Sequence, residues 1–206
     1  MFITFEGIDG SGKSTQIQLL KDWLEKSGHI VTVLREPGGN SVSEQIRQLL
    51  LDSKELIHPR CELLLFTAAR AQLVASIIKP ALQEGHIVIC DRYIDSSVAY
   101  QGYGRGLPIH SIESINDFAT AGLIPDITFI FDLPVDDAAK RAGFRSTDNH
   151  TKPDRMEQSG DAFFERTKQG YLEISKNTNR NIFIINANEA MDIIYMQVES
   201  IVKQFL

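Results

Sequence analysis

Along this chain, short and nearly continuous apolar runs alternate with longer stretches whose apolar residues recur every three or four positions. The runs are Met1 to Phe5, Ile30 to Leu34, Ile87 to Cys90, Ile127 to Phe131 and Ile182 to Ile185. Runs of that kind, bounded by glycine, proline and polar residues, predict strands covered on both faces, as in a parallel sheet. The stretches between them predict helices from Lys13 to about Ser27, Ser41 to Leu51, Arg60 to Gln83, Ile94 to Tyr100, Ser111 to Ala121, Val135 to Ala142, about Asp154 to Lys176, and Ala190 to Phe205. Gly28, Gly85 and Gly122 stand where helices should stop, and Ser41-x-x-Glu44 and Asp154-x-x-Glu157 have the form of capping boxes. The polar residues 143–154 lack an apolar period and read as a mobile loop. Strands alternating with helices imply a three-layer α/β fold, a five-stranded parallel sheet flanked by helices. Ligands of such folds sit beyond the carboxyl ends of the strands.

Composition narrows the class. With 206 residues, 43% of them hydrophobic, the chain can bury one substantial core, and without repeats or linkers residues 1–206 read as one domain. A net charge of −6 argues against a nucleic-acid surface, so an anionic ligand must be met by locally grouped cations. Cys61 and Cys90 lack metal-ligand spacing and read as reduced, buried thiols of a cytoplasmic protein. Glu6 interrupts the first apolar run, and no unbroken run approaches bilayer length, so no membrane partner is expected.

The most specific local signal follows the first run. Gly7, Ile8, Asp9, Gly10, Ser11, Gly12, Lys13, Ser14 and Thr15 fit G-x-x-x-x-G-K-[ST] between a strand and a helix, a phosphate-binding P-loop. Its glycines let backbone N–H groups converge on an anion, and the helix points its positive end at the same place. Lys13 would reach the β- and γ-phosphates of ATP, and Ser14 would hold Mg²⁺. Asp91, delivered by four apolar residues, fits the acidic strand end that completes such a metal site. Arg35 and Arg92 each lie just past a strand, on the ligand edge. Arg70 interrupts an apolar helix face one turn after Phe66, which leaves it open between a ligand contact and a snorkelled core residue.

Longer motifs surround these residues: Phe5-Glu6-Gly7 through Thr15, Arg35-Glu36-Pro37-Gly38-Gly39, Leu64-Leu65-Phe66 with Ala69-Arg70, and Asp91-Arg92-Tyr93-Ile94-Asp95-Ser96-Ser97 leading to Ala99-Tyr100-Gln101-Gly102. Asp154-Arg155-x-Glu157 and Gly170-Tyr171-Leu172 extend them. Over nearly its whole length the chain resembles the thymidylate kinases, P-loop enzymes that phosphorylate dTMP with ATP and Mg²⁺. The resemblance implies that Phe66 stacks on thymine, that Arg70 and Gln101, with Ser97 nearby, bond its edge, and that Tyr100 crowds the sugar C2′ position. It also implies that Asp9, Arg92, Arg47 and Glu36 surround the acceptor phosphate, that the peptide bond before Pro37 is cis, and that the protein is a homodimer.

Some members of that family carry an arginine inside the P-loop, where this chain has Gly10. The resemblance then moves the transition-state arginine to a lid at about 143–155. Arg145 is the first choice there and Arg155 the second, with Arg141 also available. Two other functions remain open at this stage, a deoxynucleoside kinase acting on the free sugar hydroxyl and a nucleotide-binding regulator without turnover.

Overall fold

The computed structural model describes residues 1–53, 55–149, 156 and 159–206, with backbone alone at 142 and 144–149. Its centre is a sheet of β1 (Phe2–Glu6), β2 (Val31–Arg35), β3 (Ile87–Asp91), β4 (Ile127–Asp132) and β5 (Ile182–Asn186). The strands lie in the order β2-β3-β1-β4-β5, and every pairing is parallel. The register sets Asp91 level with both Phe5 and Arg35, so the P-loop, Asp91 and residues 35–36 emerge side by side at one edge.

Alternation along the strands builds two apolar layers. Ile3, Phe5, Ile87 and Ile89 face one way, onto Leu20 and Leu24 of α1 (Lys13–Lys26) and Val198 of α9 (Met191–Val202). Phe2, Val88 and Cys90 face the other way, onto Leu73, Val74 and Ile78. These last residues belong to a rod made of α3 (Pro59–Leu73), a π-helical turn Val74–Ile78 and α4 (Lys79–Gln83). By length and composition alone the rod could cross a membrane. Its packing against the sheet and the buried Arg70 in its middle are those of a core helix.

Several expectations are corrected. β2 is an edge strand and half exposed, because topology rather than composition decides which strands are covered. The N-cap of α2 (Ser41–Asp52) is Asn40, whose side chain accepts from Ser43 N, while Glu44 reaches back to Gly39 N. After α5 (Ile94–Ser97) the chain continues as a π-helical segment Val98–Gly104, so the glycines do not break it before Gly104. The next helix, α6 (Ile109–Thr120), ends on a left-handed Ala121 ahead of Gly122. A further helix, α7 (Val135–Asn149), runs through residues 143–149, which the sequence reads as loop; an anchored helix propagates through polar residues. Its successor, α8 (Asp161–Ile174), starts at Gly160, and the Asp154-x-x-Glu157 cap falls outside the described residues. Cys61 is exposed, whereas Cys90 is buried, with its thiol pushed up in pKa by desolvation.

Candidate active site

The P-loop curls over the carboxyl end of β1. Gly7 has φ 134, and a Cβ there would lie 2.6 Å from the Phe131 carbonyl oxygen; at Gly10, φ 81, it would lie 2.5 Å from that of Ala138. Only glycine fits either place. The Ile8 side chain is buried in the core, so this residue can offer a ligand only its backbone. Lys13 is turned back on its own loop, where Nζ donates to the carbonyls of Gly7 and Ile8 at 3.0 Å each and to Ser11 Oγ at 3.4 Å. Burial, assisted by the charge of Arg92, pushes its pKa down to about 8. The side chains of Ser14 and Thr15 are exposed on the first turn of α1.

Ser14 Oγ stands 3.5 Å from Asp91 Oδ2, and Asp91 Oδ1 is buried without a hydrogen-bond partner. A hydroxyl and an unsatisfied carboxylate oxygen form a hard donor pair that fits Mg²⁺, which fills its remaining positions with water and phosphate oxygens. Among the described residues no cluster of three His, Cys, Asp or Glu offers a cage of the all-protein kind.

Beside the loop opens a cleft. Asp9, Glu36, Arg47, Phe66, Arg70, Arg92, Ser97, Tyr100 and Gln101, all expected from the sequence, line it together. At the end where Asp9 lies, Arg92 Nη2 donates to Asp9 Oδ1 at 2.7 Å and its guanidinium lies 5.0 Å from the Tyr100 ring centroid. Desolvation opposes the charge on Asp9, but Arg92 and Lys13 outweigh it and hold that carboxyl below its usual range. Arg92 has the left-handed φ 73, rare for a residue with a side chain. The turn is pinned from both sides, since Arg92 N donates to Phe5 O at 2.9 Å and Tyr93 N to Glu6 Oε1 at 2.7 Å. Arg47 donates to Pro37 O at 3.0 Å, and the Glu36–Pro37 bond is cis.

Arg70 is 1% exposed and resolves the choice left open above by doing both jobs, since it lines the cleft and also knits the core. Its donors go to Glu36 Oε2 at 2.7 Å, Ser97 Oγ at 2.9 Å, Asn116 Oδ1 at 2.6 Å and Tyr93 O at 2.8 Å. Ser97 therefore accepts from Arg70. Burial raises the Glu36 carboxyl to about 7 even against the charge of Arg70. Gln101 donates to Glu62 Oε1 at 2.9 Å.

Sequence reasoning missed a buried group behind Arg92. The Glu6 carboxylate accepts from Ser96 Oγ at 2.6 Å and Tyr171 OH at 3.0 Å, and Arg92 Nη1 reaches the same two hydroxyls at 3.3 Å. Burial first, and then the charge of Asp95, pushes Glu6 up to about 7. A carboxylate closing an apolar strand was the signal that could have found it. Met156 and Leu51, also missed, line the cleft. On the far side of the loop Gly10, Ser11, Thr15, Met191 and Ile194 line a second groove beside Arg141, which donates to Ala187 O at 3.0 Å. Arg145 lies on α7, its side chain outside the described residues, and Arg155 is outside them altogether.

A P-loop at the end of β1, a hard-oxygen pair below it and a separate arginine-lined cleft that Asp9 also lines are the features of a P-loop phosphotransferase. Comparison with known proteins gives the family. The chain belongs to the thymidylate kinase family, whose model, described as thymidylate kinase, matches residues 5–198. Thymidylate kinase of Kosmotoga olearia is 46% identical over 206 residues, covering 100% of this chain and 95% of that protein. Thymidylate kinase of Thermosipho africanus is 45% identical over 206 residues, covering 100% and 99%. Among solved structures, the crystal structure of thymidylate kinase from Ehrlichia chaffeensis matches with a TM-score of 0.79 at 34% identity, over 98% of each chain.

Proposed function

We propose that this protein transfers the γ-phosphoryl group of ATP to dTMP, giving dTDP and ADP. The observation that carries this is the two-ended cleft beside the P-loop, with Phe66, Arg70 and Gln101 suited to a pyrimidine and Arg92, Arg47 and Asp9 suited to a phosphate. Stacking on Phe66 holds any base, contributing about 1 to 3 kcal/mol, so choice among bases falls to the polar edge. The Tyr100 ring, packed against Phe163 and Tyr171, is the group that would crowd a 2′-hydroxyl.

A nucleotide 5′-phosphate has its second pKa near 6 and is largely a dianion at neutral pH, so its oxygen needs no general base. The work is to bring two polyanions together and align them. Lys13 would exchange the Gly7 and Ile8 carbonyls for phosphate oxygens, and Arg92 and Arg47 would hold the acceptor phosphate. Mg²⁺, held by Ser14 and Asp91, would supply positive charge on the transferred phosphate. The arginine acting on that phosphate is proposed in a lid at about 143–155, on the C-terminal part of α7 and the segment after it, with Arg145 before Arg155.

The same reading takes residues 1–206 as one kinase domain of a cytoplasmic homodimer. The exposed Leu64 on α3 and Phe118 on α6 support a second copy packing there. Turnover of thymidine, dTMP, dUMP and UMP with Mg²⁺-ATP tests the function. The expected order puts dTMP first and UMP last. Thymidine turned over faster than dTMP would replace this reading with a deoxynucleoside kinase, and ATP binding without ADP formation on any of them would replace it with a regulator.

A further inference from the structure

Thymine and cytosine differ on their polar edge at two neighbouring atoms. Thymine offers a donor at N3 and an acceptor at O4, whereas cytosine offers an acceptor at N3 and a donor at N4. A glutamine can face either base, because the two halves of its amide have the same shape and opposite roles. The partner behind the glutamine therefore decides which half faces the ligand.

Gln101 is 2% exposed in the wall of the cleft, and its Nε2 donates to Glu62 Oε1 at 2.9 Å. Glu62 is buried on the first turn of α3 and is not among the residues lining the cleft. Arg105 holds it in two places, with Nε 3.2 Å from Oε1 and Nη2 3.3 Å from Oε2. Arg105 is fixed in turn by Ser159 Oγ at 3.1 Å and by the Phe163 ring, whose centroid lies 4.3 Å from its guanidinium carbon. A carboxylate only accepts, so it draws the amino half of the Gln101 amide and turns the oxygen half toward the cleft. The opposite orientation would set two oxygens face to face in a buried site.

We infer that Glu62 is the positioning residue for base choice: without touching the nucleotide, it fixes Gln101 to present Oε1, an acceptor matched to thymine N3–H and mismatched to cytosine N3. Arg70, a donor-only side chain, supplies the second half of the discrimination at O4. The inference rests on dTMP being the acceptor.

The test compares kcat/KM for dTMP and dCMP in the unaltered protein and in Glu62→Gln. With the carboxylate replaced, Gln101 can take either orientation, and the dTMP:dCMP ratio is expected to fall on the order of 10- to 100-fold. Glu62→Asp, which keeps the accept-only group, is expected to retain most of the ratio. A fall of both substrates by one common factor, with the ratio unchanged, would make Glu62 merely structural and overturn the inference. Should Glu62→Gln not fold, ¹⁵N-glutamine labelling of the unaltered protein decides, with the Gln101 resonance assigned by its loss in Gln101→Ala. An NH₂ group protected from exchange before dTMP is added supports the inference. One protected only after dTMP is added faces the base and overturns it. Turnover of dTMP by the unaltered protein is read separately, so loss of that activity strikes the proposed reaction and an unchanged ratio strikes Glu62 alone.

Discussion

The arginine-lined cleft and the P-loop lie side by side but are built on opposite principles. In the cleft the key polar side chains are held by other side chains: Arg70 by Glu36 and Asn116, Arg92 by Asp9 and Ser96, Gln101 by Glu62. The loop owes its shape to backbone, and its one cation, Lys13, rests on the loop's own carbonyls. On the proposed reading the cleft is preorganised for one base, whereas the loop is a general anion cradle whose lysine would exchange its own carbonyls for phosphate. That reading puts specificity in the half where side chains are expensive to move.

Three measurements can break or sharpen that contrast. The largest effect is expected from Arg70→Ala, which leaves Glu36 buried without its cation. Breaking such a pair costs about 3 to 5 kcal/mol of stability, read by urea denaturation, and KM for dTMP should rise while ATP affinity holds. Equal weakening of both substrates would erase the division between the two halves.

Lys13→Met is expected to lower kcat by about 10² to 10³, with dTMP affinity measured by calorimetry unchanged. A parallel loss of dTMP binding would show that the lysine belongs to both sites.

The smallest effect is a pH slope. Glu36 titrates near 7 in the folded protein against 4.5 for the free side chain, so the folded state binds more protons between those values. Its contribution to stability is therefore greatest at low pH and is lost as pH rises from about 4.5 to about 7. Glu36→Gln should flatten the slope in urea denaturation across that range; an unchanged slope would assign it to Glu6, which is shifted the same way.

The same contrast governs what the sequence could reveal. The P-loop is one contiguous segment, and Asp91 follows its own apolar strand, so both were legible from local pattern. Beyond Arg70 and Arg92, which strand ends and helix spacing pointed to, the cleft was legible only where longer motifs carried a resemblance. Glu6 meets Tyr171 across 165 residues and Glu62 meets Gln101 across 39, separations at which no periodicity speaks. The edge position of β2 was hidden for a related reason, since its composition matches that of the inner strands and only the strand order distinguishes them. Residues 143–149 were misread because helix propagation from Val135 and Ala138, both buried in the core, needs no apolar period of its own.

The contact between Gly10 and the Ala138 carbonyl has an evolutionary consequence. With 2.5 Å available to a Cβ, no single substitution at position 10 can plant an arginine in the loop while α7 stays where it is. If the lid supplies that charge, as proposed above, moving it into the loop would require α7 to shift first, so the backbone rather than the genetic code would separate the two arrangements.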